Sequence, residues 1–194
     1  FLYPVVSGKS YYESFEANSG FWKGYGQNSS WEWGVPSKNL SVVDTAANGI
    51  KIWTTNLKGN YNNNELSFLQ SPCLNLAEMG GDVQFSFNSV YNMESEYDHM
   101  WLEMSEDGIE WWKTGSTNSG TNWYNHGMPS WNGMRSHWEV ASHRIAAESV
   151  GNKARVRFRF AFSSDPSQTK EGFGIDDVHL EPAFEIVSDS SFSQ

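Results

Sequence analysis

Cysteine is nearly missing from this sequence. Cys73 stands alone among 194 residues, which excludes an internal disulfide framework and any cysteine-based zinc site. In its apolar setting it reads as a small buried hydrophobe rather than a nucleophile. Positive charge is scarce as well. Thirteen Lys and Arg face 23 Asp and Glu, a net charge of -10, which argues against nucleic acid or an anionic membrane as the main partner. No apolar run approaches the roughly 18 residues of a membrane-spanning helix, so no membrane insertion is expected. The chain begins at Phe1 rather than methionine, so the lack of a secretion signal carries no information. The five histidines show no H-E-x-x-H spacing and no G-x-S-x-G elbow occurs, and no catalytic residue is assigned. Internal repeats, an interdomain linker and a sustained helical period are likewise lacking.

What remains is strand alternation. In "ARVRFRFAF" Val156, Phe158, Phe160 and Phe162 face one way and Arg155, Arg157 and Arg159 the other, the signature of a half-buried strand. "DVQFSFNSV" repeats the pattern with Val83, Phe85 and Phe87. "HMWLEMSEDGIEWWKTG" reads as a hairpin turning at Asp107-Gly108. With "GIKIWTTNL", "ELSFLQSP", "HWEVASHRI" and "EGFGIDDVHL" the set comes to roughly seven to nine short strands, an all-β sandwich pattern. Residues 1–181 read as a single domain, and the serine-rich stretch 182–194 as a polar tail or the start of a linker. The arginine row is either a platform for anionic sugar or, the commoner arrangement, one that pairs with cross-strand acids such as Glu103.

The longest connection, 114–136, is rich in Gly, Ser and Asn and carries Trp123, Tyr124, His126, Trp131 and Arg135. Loops of that length are usually functional or bring their own packing. Aromatic faces stack on sugar C–H faces while amides, imidazole and guanidinium answer hydroxyls, so these five residues form the candidate ligand site. The competing reading makes Trp123 and Trp131 anchors that fold the loop onto the sandwich. Side chains alternate in an extended segment, so adjacent Trp123 and Tyr124 are expected to point apart, the tryptophan inward and the tyrosine out. A third reading takes Tyr124, His126, Arg135 and His137 as the base and charge neutraliser of a jelly-roll polysaccharide lyase.

"YYESFEANSGFWKG", "SSWEWGVPS", "GIKIWTTNLKGNYNNNELSFLQSPCLNL", "YDHMWLEMSEDGIEWWKTG" and "SSDPSQTKEGFGIDDVHL" together resemble a MAM-like jelly-roll module of secreted bacterial multidomain proteins, over residues 11–181. Its most specific parts are "GFGIDDV" and the hairpin from Ser105 to Trp111. The resemblance implies a jelly-roll β-sandwich of two antiparallel sheets, a non-catalytic binding or adhesion role, and often a structural cation. It also implies that the first and last strands lie side by side, which brings Glu13 or Glu16 toward Asp176 or Asp177. Two adjacent aspartates inside an apolar strand need a partner. A calcium ion would supply one, with Glu65 and Asp98 as further oxygen ligands. The alternative is that backbone N–H groups of a neighbouring loop hold one aspartate while the other faces water. The expected protein is therefore a secreted, monomeric module with a calcium ion, binding polysaccharide or cell-surface glycan, with a protein partner or a lyase activity as alternatives.

Overall fold

The computed structural model describes residues 5–39 and 41–183. The expected tail lies outside the described residues from position 184 onward. In chain order the strands are β1 (Val5–Ser7), β2 (Tyr11–Glu13), β3 (Lys23–Gln27), β4 (Trp31–Gly34), β5 (Ile52–Thr55), β6 (Leu66–Gln70), β7 (Cys73–Asn75), β8 (Val83–Asn92), β9 (His99–Ser105), β10 (Trp112–Lys113), β11 (Gly120–Thr121), β12 (Met134–Ile145), β13 (Arg157–Ser163) and β14 (Gly172–Pro182). Three single 3-10 turns are the helical elements among the described residues. The two- and three-residue strands are too short to show alternation, which is why the pattern of the sequence suggests fewer.

Two antiparallel sheets face each other. One runs β10-β9-β13-β6-β3 and the other β11-β12-β8-β14-β5-β4, with β2 also pairing β14. Phe158, Phe160 and Phe162 of β13 and Phe85 and Phe87 of β8 fill the space between them, each at most 1% exposed. Burying each such ring contributes about 1.5–3 kcal/mol. Arg157 and Arg159 take the opposite face of β13, as the alternation requires.

The last strand pairs with β2, Glu13 opposite Val178 and Tyr11 opposite Leu180, as the resemblance implies for these segments, while β1 runs parallel to β7. β14 also runs beside β8, and its register shifts by one residue between Asp176 and His179. The extra residue is a β-bulge, and Asp177 sits there in the left-handed region at φ 48°, a conformation that aspartate tolerates better than branched residues do. The bulge turns both acids toward donors. Asp176, fully buried, accepts from Ala47 N at 3.0 Å, Asn48 N at 3.2 Å and Asp177 N at 2.9 Å. Asp177 accepts from the Tyr12 hydroxyl at 2.5 Å, from Asn88 Nδ2 at 2.9 Å and from Asn48 Nδ2. Loop amides thus hold Asp176, and side-chain donors hold Asp177, which is only 9% exposed rather than facing water.

The segment these acids secure, residues 41–51, covers the outside of the larger sheet. There Val43, Ile52 and Val90 form a second, smaller core packed against Val42, Ala46 and Trp138. Glu171 accepts from Val42 N at 2.8 Å and Val43 N at 2.6 Å, and Glu16 from Ile50 N at 3.0 Å and Lys51 N at 2.7 Å. The buried Lys38 ammonium donates to the carbonyls of Thr55 and Glu171.

Burial pushes the Asp176 carboxyl up to about 7, against the pull of the three amides. A carboxyl raised above its unfolded value binds more protons folded than unfolded between about pH 4 and pH 7, so its contribution to stability is lost as pH rises through 7. Urea denaturation at pH 4.5 and pH 7.5 is expected to show a smaller loss over this interval in Asp176→Asn than in the parent. Equal losses would contradict the assignment.

Candidate functional site

The aromatic loop folds inward. Trp123, Tyr124 and Trp131 are each at most 1% exposed and pack on one another with ring centroids 4.7–5.3 Å apart. This corrects the expectation that Tyr124 faces solvent. Tyr124 has φ 41° and Asn122 φ 50°, so the segment is a left-handed turn and the two-residue alternation does not apply. The Tyr124 hydroxyl lies inside, donating to Thr114 O at 2.8 Å and accepting from Leu102 N at 3.0 Å, and burial pushes it above the usual phenol range. It can serve neither as a sugar platform nor as an accessible base. Trp131 Nε1 donates to Asn122 O at 2.9 Å and Trp123 Nε1 to Thr114 O at 3.3 Å, so these rings are anchors. Of the five residues, His126 and Arg135 are half-buried and reach the surface. His126 Nε2 lies 3.2 Å from Glu96, and Arg135 contacts Ser89 Oγ at 2.9 Å and Glu139 at 3.3 Å.

Glu13, Glu16, Asp176 and Asp177 are not brought together as a cluster either. Glu13 accepts from Phe15 N at 2.9 Å, and the other three are held as described above. Glu65, buried, accepts from Ser30 N at 2.9 Å, Ser30 Oγ at 2.7 Å, Asn62 N at 3.2 Å and Ser67 Oγ. Amides and hydroxyls occupy these positions, where a cation was expected.

Among the described residues the acids that do converge are Glu94, Asp98 and Asp165, each offering a carboxylate oxygen within 4.8 Å of the others. Asp98 belongs to the expected set; Glu94 and Asp165 do not. Asp98 is fully buried; it accepts from Asp165 N at 3.0 Å and from the Tyr61 hydroxyl. Tyr61 in turn accepts from Glu94 N at 3.1 Å. Glu94 is 6% exposed, and its Oε2 has no hydrogen-bond partner. Burial, then the charges of Asp165 and Asp98, push the Glu94 carboxyl upward, and burial raises Asp98 too. An orphaned buried oxygen among like charges fits a hard cation, which takes six to eight oxygens in flexible geometry.

Rings that do reach solvent line the outer face of the smaller sheet. The register sets Lys113, Glu103, Arg159, Gln70 and Lys23 in one row across five strands. The next row is Trp101, Ala161, Phe68 and Tyr25. The Arg159 guanidinium lies 4.0 Å from the Phe68 ring centroid and 4.1 Å from that of Trp111. Its Nε donates to Glu103 at 2.6 Å and its Nη1 to the Tyr25 hydroxyl at 3.2 Å. Trp101 Nε1 donates to the other Glu103 oxygen at 2.7 Å, and the Lys113 ammonium sits 4.8 Å over the Trp101 ring. Of the arginine row, Arg159 therefore pairs with Glu103, and the face presents aromatic surface around a neutralised central pair.

This architecture is an all-β sandwich of two antiparallel sheets, a fold shared with adhesin and carbohydrate-binding domains of known structure. Its overlay on the K1 cleaved adhesin domain of Lys-gingipain from Porphyromonas gingivalis W83 gives a TM-score of 0.54 at 14% identity, covering 91% of this chain and 100% of that one. The C-terminal family 22 carbohydrate binding module of Clostridium thermocellum Xyn10B gives 0.54 at 13% identity, covering 91% and 96%. By sequence, the chain is 33% identical over 170 residues, 88% of its length, to Bacillopeptidase F of Bacillus subtilis (strain 168), of which it spans 10%. It is a β-sandwich module related to that region. No protein-family model matches the chain.

Replacing either buried ring, Trp123→Ala or Tyr124→Ala, is expected to destabilise the fold by about 3–5 kcal/mol. Urea denaturation followed by circular dichroism measures this. A loss under 1 kcal/mol for either would show that the ring is not an anchor.

Proposed function

We propose that the protein is a non-catalytic extracellular module of a larger secreted protein, that it binds polysaccharide, and that a calcium ion held by Glu94, Asp98 and Asp165 stabilises it. The reading includes the MAM-like kinship of its sequence motifs. The observation that carries the ligand class is the row of Trp101, Phe68 and Tyr25, with Trp111 beside it against Arg159, on the outer face of the smaller sheet. Flat rings stack on pyranose C–H faces, and Gln70, Glu103 and Arg159 offer fixed acceptors and donors between them. Because Arg159 and Glu103 neutralise each other, the face suits a neutral glycan better than a sulfated or uronic one. The likeness to an adhesin domain and to a carbohydrate-binding module supports a binding role, and the small share of Bacillopeptidase F that the chain spans supports an ancillary one. With Tyr124 buried, the lyase reading loses one of its candidate bases.

Affinity electrophoresis in gels containing xylan, β-glucan or galactan is expected to retard the protein without releasing oligosaccharides. Trp111→Ala should weaken retardation about tenfold, since a stacked ring contributes about 0.5–1.5 kcal/mol beyond the area it buries. Failure to bind any neutral polysaccharide, with Trp111→Ala inert, would leave a protein partner as the reading.

For the ion, a ligand at a hundredfold excess over its Kd stabilises the folded state by about 2.7 kcal/mol. That amounts to about 5–10 °C in a chain of this size. Chelation is therefore expected to lower the melting temperature of the parent and leave that of Glu94→Gln unmoved. An unchanged melting curve in chelator, with no metal in elemental analysis, would refute it.

A further inference from the structure

The two sheets do not close against each other at the β10 edge. Trp112 pairs with Met104, so the two share the inward face of the smaller sheet. β10 is the last strand of that sheet, and the Trp112 ring stays 38% exposed above the gap that faces the C-terminal end of β12. The gap is a cleft of about 260 Å³, lined among others by Met104, Trp112, Thr114, His143, Ile145 and Ser149.

The geometry points to a saccharide subsite in this cleft, one pyranose ring in size, with Trp112 as its stacking face and Thr114 and His143 as its polar contacts. The inference rests on the polysaccharide-binding reading and adds a place for a chain end. Thr114 is 6% exposed and its Oγ1 has no hydrogen-bond partner, which is rare for a buried hydroxyl. Its backbone is fixed from both sides. The N–H donates to Leu102 O at 2.8 Å, and the carbonyl accepts from Tyr124 and Trp123 as described above. Rotation about χ1 is then the freedom left to the side chain, which lines the cleft.

His143 is fixed as firmly. Its ring stacks on Trp123 with centroids 5.0 Å apart and planes at 25°, and its Nδ1 lies 2.9 Å from Ser119 O. That carbonyl can only accept, which assigns the proton to Nδ1 and leaves Nε2 as an acceptor. Gly115 has φ 79°, and a Cβ there would stand 3.1 Å from His143 Nε2 and 2.4 Å from Trp123 Nε1, so glycine keeps this wall open.

The chemistry selects a neutral sugar. Arg144 is paired with Asp82 at 2.5 Å, and the Lys113 ammonium donates to Pro129 O at 2.8 Å. A hydroxyl, an imidazole acceptor and an apolar face suit a ring of hydroxyls better than an anion. Pockets for small ligands commonly run to about 300–1,000 Å³, so this smaller cleft takes one ring and not a run of polymer. Adjacent Trp111 and Trp112 serve the two sites separately, the first on the outer face against Arg159 and the second over the cleft.

Titration of ¹⁵N-labelled protein with methyl glycosides of xylose, glucose, galactose and mannose tests this, with the Trp112 indole resonance assigned by Trp112→Phe. At least one glycoside is expected to shift that resonance. Thr114→Val should weaken its binding at least fivefold without lowering the melting temperature, because a buried unpaired hydroxyl is removed. If no glycoside moves the resonance while polysaccharide still retards the protein, the subsite is wrong and the wider reading stands. If Thr114→Val binds the glycoside as the parent does, the subsite is also wrong. A shift without polysaccharide retardation would support the subsite and overturn the outer face as the polymer site. Neither shift nor retardation would overturn both.

Discussion

Carboxylates that accept successive backbone amides hold this molecule's irregular segments in place. Glu171 takes the amides of Val42 and Val43, Asp176 those of Ala47 and Asn48, and Glu16 those of Ile50 and Lys51. One loop with no secondary structure of its own is thereby fixed across a sheet face that would otherwise expose Val43, Ile52 and Val90. Elsewhere Asp44 receives Lys38 and Asn39, Asp107 receives Ile109 and Glu110, and Glu106 receives Gly151 and Asn152. A backbone N–H left unpaired in a protein interior costs about as much as a lost hydrogen bond, and an ionised acceptor answers it more strongly than a neutral one. The surplus of acid over base follows from this use. Long connections need amide acceptors, and the chain supplies them as Asp and Glu.

The same economy of structure explains the buried aromatic loop. A connection as long as 114–136 lies flat only if something inside holds it, and Trp123, Tyr124 and Trp131 dock among Phe85, Phe87 and Phe173. Their polar ends then grip backbone rather than ligand. Tyr124 and Trp123 both meet the carbonyl of Thr114, and Trp123 also backs the ring of His143. Residues that look like a binding surface in the sequence thus become the rigid support of a neighbouring cleft.

The alternation of β8, β13 and β14 made the sandwich legible, because strands with one buried face must place apolar side chains at every second position. The pairing of β2 with β14 was legible only through the resemblance. Three things were not legible, each for a local reason. The Trp123–Tyr124 step was misjudged because positive φ at Tyr124 is invisible in composition. Phe68 and Trp101 are aromatic residues on the outward phase of their strands, where Ser67 and Leu102 hold the buried positions; period alone favours the opposite assignment for the "SFL" triplet. Glu94, Asp98 and Asp165 meet because β9 pairs β13 and the loops at one end of the sandwich converge, a relation between residues about seventy apart in the chain that no spacing rule encodes. The sequence offers Asp98 as an oxygen ligand, yet its neighbours in space cannot be read from it.

Buried polar atoms without partners separate structural acids from candidate binding groups. Most carboxylates here have donors, including Asp176 and Asp177, so their burial is accounted for by the fold alone. Among the described residues four buried side-chain atoms lack a partner: Trp31 Nε1, Thr54 Oγ1, Glu94 Oε2 and Thr114 Oγ1. We have no physical account of the first two, which adjoin neither a cluster of charges nor the cleft. Glu94 stands beside two further acids and Thr114 beside a cleft with an aromatic wall. In each place the fold bears a local penalty that an added partner would remove, and the partner differs with the atom. An anionic oxygen among like charges is answered by a cation, and a hydroxyl below an indole by another hydroxyl. The regular strands supply the rigidity on which both arrangements rest, and the chemistry sits where that regularity stops, in the loops between β8 and β9 and after β13, and at the edge beyond β10.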